Sequence, residues 1–235
     1  MNVTVVVPAL NEAGCIGGLV AAVLAQPVDA VIVVDNGSTD ATAGMAEQAG
    51  ARVVGEARRG YGYACLAGAL AAWDADVLVF LDGDHSFLPA ELPRLLAPLQ
   101  ADRADLVLGS RALGQVEPGS MPLPQRFGNW LAARLLRPLY GLPLTDLGPY
   151  RAVRRELLLA LDMREMSYGW PTEMIVKAAR RRARIVEVPV SYRSRRAGRS
   201  KVSGTLRGTL LAGVAILTTV LRHLGRRQRS RRGGS

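Results

Sequence analysis

The chain is poor in cysteine, histidine and aromatic rings: two Cys, two His and 5% Phe, Trp and Tyr among 235 residues. Cys15 and Cys65 stand far apart in apolar stretches without a CxxC spacing, and His85 and His223 are isolated. Neither a zinc site nor a disulfide framework is expected from such a set. No basic leader or cleavage site follows Met1, which runs directly into a strand-like segment, so the expected compartment is cytoplasmic. Acidic residues are nearly missing from the end of the chain. Residues 176–235 carry 17 Lys+Arg against Glu187 alone, whereas residues 1–175 carry 13 against 19 Asp+Glu. The net +10 therefore divides into an acidic body of −6 and a basic end of +16. A basic end of this kind suits nucleic acid, an anionic membrane face or substrate phosphates.

What is present is enough for a sizeable core. With 49% hydrophobic residues, 25 Gly and 13 Pro, the chain suits one substantial domain or two halves sharing a sheet. Val3 to Val7, Ala30 to Val34 and Val77 to Leu81 are β-branched apolar runs that read as strands buried on both faces. Helix-length segments separate them, at Ile16 to Ala25, Ala41 to Ala49 and Tyr61 to Trp73. Short strands are expected at Arg52 to Val54 and Leu106 to Leu108, with a helix from Pro89 between Leu81 and the latter. The alternation predicts a mostly parallel α/β sheet with right-handed crossovers. In the second half, Pro118, Pro122 and Pro124 mark a loop before an amphipathic helix over Arg126 to Tyr140. Further helices are expected at 154–161 and 172–182, and a last strand at Ile185 to Val190.

Fourteen residues without a charge, Gly208 to Leu221, precede the basic cluster Arg222 to Arg232. As a helix they would span about 21 Å, short of the roughly 30 Å hydrocarbon core of a bilayer. Three readings stay open: a helix lying in the membrane interface with arginines at the headgroups, a helix covering the sheet ahead of a basic tail, or a pairing element that makes the chain a homo-oligomer.

Three polar clusters follow directly after expected strands: Pro8-Ala-Leu-Asn11-Glu12, Asp35-Asn-Gly-Ser-Thr-Asp40 and Asp82-Gly83-Asp84. Parallel strands bring such ends to one edge of the sheet, where open α/β folds bind ligands. Asp82 and Asp84 flank a glycine that permits a tight turn, and two clustered carboxylates suit a divalent Mg²⁺ or Mn²⁺ shared with a diphosphate. Asp35 at its strand end suits hydrogen bonds from a nucleoside, while Thr39 or Asp40 suits a helix cap. Arg58-Arg59-Gly60 opens the next helix and offers arginines or backbone N–H groups to phosphate.

The segments PALNE, VVDNGSTD, RRGYG, LDGDHSFLP, TDLGPYR, GWPTEM and RRAGRSK, in this order over residues 3–203, resemble the family-2 glycosyltransferases of GT-A fold, in particular their dolichyl-phosphate mannosyltransferase-like branch. That resemblance implies a catalytic domain over 1–203, with a nucleotide-sugar half at 1–110 and an acceptor half at 111–203, ahead of an apolar helix and basic tail at 204–235. It implies a nucleotide-sugar donor at Pro8, Asn11, Glu12, Asp35, Arg59, Gly60, Asp82 and Gly83, with the metal at Asp82 and Asp84. It further implies a polyprenyl phosphate acceptor near Arg195, Arg199, Ser200 and Lys201, with Glu173 as a further contact. Asp84, Asp146 and Arg195 would serve catalysis, and the sugar would be transferred with inversion. Two departures stand out: Ser86 replaces a Gln frequent two residues past the second Asp, and Gly148-Pro149-Tyr150 replaces a Ser-Gly-Phe.

A phosphate monoester, with a second pKa near about 6, is already largely dianionic at neutral pH and needs no base to attack. The lack of an obvious histidine base therefore agrees with that acceptor. The expected enzyme is a hexosyltransferase bound peripherally to the cytoplasmic membrane face. The same fold acting on a soluble or saccharide acceptor is the rival. Nucleic-acid binding is disfavoured, because the positive charge is confined to one terminal block while the sheet edge is acidic.

Overall fold

The computed structural model describes residues 1–195, apart from the side chains of Pro124, Gln125, Leu135 and Leu139. Seven strands form one sheet: β1 (Val3–Ala9), β2 (Ala30–Asp35), β3 (Arg52–Gly55), β4 (Val77–Phe80), β5 (Leu106–Ser110), β6 (Arg151–Arg154) and β7 (Ile185–Pro189). Their order is β3-β2-β1-β4-β6-β5-β7. All neighbours are parallel except β6, which runs antiparallel to both β4 and β5. The expected mostly parallel sheet is present, and every strand read from the sequence is in it. β6 was not expected. It comes from beyond residue 110 yet lies between β4 and β5, so the segments before and after that position share a single sheet.

Successive residues of β1 face opposite layers, as the pleat requires. Val5 and Val7 pack with Ile16, Leu19 and Val20 of α1 (Ile16–Leu24) and with Leu92, Leu95 and Leu96 of α4 (Leu92–Gln100). Val6 points the other way, into a layer with Ala64 and Cys65 of α3 (Tyr61–Ala71) and Trp170 and Met174 of α7 (Trp170–Arg180). α2 (Thr42–Gln48) and α6 (Arg155–Ala160) complete the layers together with α5 (Leu123–Tyr140). Helix α5 begins three residues earlier than its apolar stripe suggests, because Pro124 sits in the first turn, where a missing N–H costs nothing. It ends at Gly141, whose left-handed φ of 70° closes the helix.

Residues 196–235 lie outside the described residues, and with them Arg199, Ser200, Lys201 and the apolar segment 208–221. Among the described residues, no helix is long and apolar enough to cross a membrane.

Candidate active site

The register places the ends of β1, β2 and β4 side by side, with Ala9 opposite Asp35 and Val6 opposite Phe80. The loops beyond them are stitched together. Asn36 N–H donates to the Ala9 carbonyl (2.9 Å), Asn11 N–H to Ser38 Oγ (2.9 Å), Thr39 N–H to Asn11 Oδ1 (2.8 Å) and Glu12 N–H to Thr42 Oγ1 (2.8 Å). Asp35 Oδ1 accepts Ser38 N–H at 2.9 Å. The Cys15 thiol reaches the Gly83 carbonyl at 3.3 Å, bringing the β1 and β4 loops together. A Cβ added at Gly83 would lie 3.4 Å from the Pro8 carbonyl oxygen and 3.6 Å from Glu12 Cγ. Pro8, Asn11, Glu12, Asp35, Asp82, Gly83 and Asp84 thus gather on one rim. Asn11 and His85 both hold positive φ, 52° and 60°, so two strained backbone positions flank it.

The expected cap on α2 is not made by Thr39 or Asp40. The helix begins one residue later, at Thr42, and Asp40 instead accepts from Thr42 N–H (3.0 Å), Thr42 Oγ1 and Ala13 N–H (3.3 Å), a bridge between loops. Gly60 is occupied too: its N–H donates to Asn36 Oδ1 at 2.9 Å. Arg59 is exposed and lies across Gly37. Its neighbour Arg58 is held by Glu56 (2.7 Å) and stacks on Tyr63.

Asp84 is fixed by Ser86, whose N–H and Oγ donate to Oδ1 at 2.9 and 2.6 Å. The residue that departs from the family pattern therefore orients the carboxylate. Burial and the charge of Asp84 push Asp82 up to about 7, while Tyr61 donates a hydrogen bond to it at 3.3 Å. Negative charge at this point lacks enough compensation, and the pair presents only oxygen donors. Among the described residues no group of three or more His, Cys, Asp or Glu forms a cage. The residues fit a hard divalent cation that completes its shell with phosphate oxygens.

Arg195 closes the rim from the far end of the chain. One Nη pairs with Glu12 Oε1 and the other lies 3.5 Å from Asp84 Oδ2. Its Nε is buried without a partner among the described residues, a donor left over for an anion.

Asp146 stands at the same edge, and the structure adds partners to it that the sequence reading missed. Arg111 follows directly on the end of β5 and grips it with two side-chain bonds, Nε to Oδ2 and Nη2 to Oδ1, both 2.7 Å; the Arg111 N–H adds a third at 2.8 Å. Asn129 of α5 and Leu147 N–H (2.7 Å) also donate to Oδ1. Burial alone would raise Asp146, but Arg111 and Asn129 hold it below the usual carboxylate range. Behind it, Glu187 of β7 accepts from Thr145 N–H (2.9 Å) and Asp146 N–H (3.0 Å) and fixes the loop. The strand-end rule that located the acidic clusters would also have located Arg111. Asn129 and Glu187 carry no such signal.

Glu173 is buried in the first turn of α7. Its carboxylate accepts Arg164 and Glu165 N–H at 2.9 and 2.7 Å and pairs with Lys177 at 2.8 Å. Those bonds hold loop 162–167, whose Met166 carbonyl in turn accepts Gly62 N–H at the start of α3 (3.1 Å).

The family model described as Glycosyl transferase family 2 matches residues 4–161. An undecaprenyl-phosphate mannosyltransferase of Micrococcus luteus is 34% identical over 230 residues, covering 91% of this chain and 93% of the relative. A dolichyl-phosphate hexose transferase of Haloferax volcanii is 36% identical over 204 residues, with 86% of each chain covered. Among solved structures, glucosyl-3-phosphoglycerate synthase of Mycobacterium tuberculosis, crystallised with Mn²⁺, UDP-glucose and phosphoglyceric acid, superposes with a TM-score of 0.78 at 26% identity, covering 95% of this chain and 80% of that one. With an acidic, oxygen-only rim at the strand ends of a sheet of this topology, the chain belongs to glycosyl transferase family 2 and is a glycosyltransferase of GT-A fold.

Proposed function

We propose that the protein transfers a hexose, with inversion, from a UDP- or GDP-linked sugar to a polyprenyl phosphate at the cytoplasmic face of a membrane, and that a divalent cation takes part. The observation that carries this reading is Arg195 reaching Glu12 and Asp84. A basic arm meets the acidic rim at the one place where donor and acceptor phosphates would have to approach. The names of the Micrococcus and Haloferax relatives support the acceptor class, and the Mn²⁺ and UDP-glucose of the solved neighbour support the donor and the metal.

Each group then has a task. Asp35, Asn11 and Glu12 line the nucleoside and ribose side, with Pro8, Gly83 and the exposed Arg59 beside them. Asp82 and Asp84 would hold Mg²⁺ or Mn²⁺, which when bound neutralises the donor diphosphate and eases its departure. Arg195, with Arg199, Ser200 and Lys201 beyond it in the chain, holds the acceptor phosphate. Asp146 has five donors and a lowered pKa, so it is a poor proton acceptor. It serves instead to aim Arg111, and a phosphate nucleophile requires no base. Glu173 contributes by holding loop 162–167 against α3.

A second reading, transfer to a small phosphate-bearing acid in solution, is favoured by the solved neighbour, which binds phosphoglyceric acid. A thermal-shift panel of UDP- and GDP-sugars, with and without Mn²⁺, tests the donor assignment, because a ligand specific for the native state raises its stability by mass action. One nucleotide class should shift the wild-type midpoint upward only when Mn²⁺ is present, and Asp84→Asn should lose both that shift and transfer to polyprenyl phosphate. Full activity of Asp84→Asn at saturating metal would remove the metal assignment, and transfer to phosphoglyceric acid alone would favour the second reading.

A further inference from the structure

Helix α5 has two faces of different character. On the inner one, Ala132, Ala133 and Leu136 are buried and Asn129 holds both Asp146 and the Leu147 N–H. On the outer one, Leu123, Phe127 and Trp130 are 76%, 62% and 53% exposed. Steps of three and four residues keep them on one stripe with Arg126, Arg134 and Arg137. The rings of Phe127 and Trp130 lie 5.8 Å apart, and the Arg134 guanidinium stands over the Trp130 ring. No acidic residue occurs anywhere in the helix. A stripe of large exposed apolar side chains, flanked within its own helix by cations alone, marks an interaction surface.

We propose that this outer face docks on an anionic lipid bilayer, with Leu123, Phe127 and Trp130 at the acyl boundary and the three arginines at headgroup phosphates. Charge selects the occupant. A second copy would bring the same three arginines against themselves across a two-fold interface, and the segment 208–221 is followed by a basic cluster of the same sign. An anionic surface alone complements both halves of the face. The helix is about 27 Å long, and its arginines keep it in the plane of the interface. Through Asn129, docking would set the Asp146–Arg111 edge of the site at headgroup depth. The purpose of such docking rests on the lipid-phosphate reading above; the character of the face itself does not.

The test uses the full chain with vesicles of phosphatidylcholine alone or mixed with phosphatidylglycerol. A Trp73→Phe background removes the other exposed indole, leaving Trp130 beside the buried Trp170. Trp130 emission should shift to the blue on the mixed vesicles only and be quenched by bromine-labelled acyl chains. In cosedimentation, Phe127→Ser with Trp130→Ser should weaken partitioning by at least about tenfold, and Arg126→Gln with Arg134→Gln and Arg137→Gln should abolish the dependence on phosphatidylglycerol. Unchanged unfolding midpoints would establish that the variants fold. The proposal is overturned if the chain binds vesicles while Trp130 emission stays unshifted, if Trp130 is instead buried by concentration-dependent dimerisation without lipid, or if no binding occurs. The nucleotide-sugar thermal shift of the unsubstituted chain separates the two claims: no docking with an intact shift fails this inference alone, and docking with no shift fails the donor assignment alone.

Discussion

Asp146 and Arg111 are the best-buried ion pair of the site, with side chains 1% and 7% exposed. Removing one partner from such a pair leaves the other charge desolvated and alone, so Asp146→Asn should cost about 3–5 kcal/mol at neutral pH, read from urea unfolding. The sign of its pH dependence follows from linkage. Against burial, which would raise it, Arg111 holds the Asp146 carboxyl below its ordinary value. The stabilisation is therefore complete above the ordinary carboxylate range and is lost as pH falls through the lower folded value. The gap between wild type and variant should narrow steadily below about pH 4; a gap independent of pH would place the damage in packing instead. The two cysteines are a contrast. Both are buried, and burial, followed by the Glu12 charge, pushes the Cys15 thiol up to about 12, which leaves it unreactive despite its place at the rim.

At the scale of elements, close approach decides where α3 sits. A Cβ added at Gly68 would come within 2.3 Å of Val6 Cγ1 and 3.0 Å of Val34 Cγ2, both in the sheet. Gly68→Ala gains helix propensity but must push α3 off β1 and β2, and overpacking of this kind costs about 1–3 kcal/mol. Denaturant unfolding should show a lower midpoint at unchanged slope; a stabilised Ala variant would mean the layer yields freely. The elements that were legible in the sequence were those with a pure signal. Val3 to Val7 and Val77 to Leu81 are buried on both sides, and their composition says so. β6 was illegible because Arg151-Ala-Val-Arg154 carries an arginine at each end. Arg151 is nonetheless fully buried, because the carbonyls of Gly148, Pro149 and Pro171 receive its guanidinium. The acidic rim was legible from strand ends; the grip of Arg111 and Asn129 on Asp146 depends on loop geometry that spacing does not encode.

For the whole molecule, one sheet with apolar layers on both faces takes its strands from both sides of residue 110. Since β6 lies between β4 and β5, the full chain should lose near-UV and far-UV circular dichroism in one coincident transition, and a fragment of residues 1–110 should not fold alone. Separate transitions for the two signals, or a folded fragment, would mean that the sheet is not one cooperative unit. The same interleaving governs how the protein is made. On a ribosome, β5 emerges before either of its neighbours exists, and one edge of β4 stays bare until β6 follows; the apolar run Leu106–Leu108 must wait unpaired through the synthesis of α5 and the Asp146 loop. Any pause between β5 and β6 prolongs the interval in which these unpaired edges can aggregate.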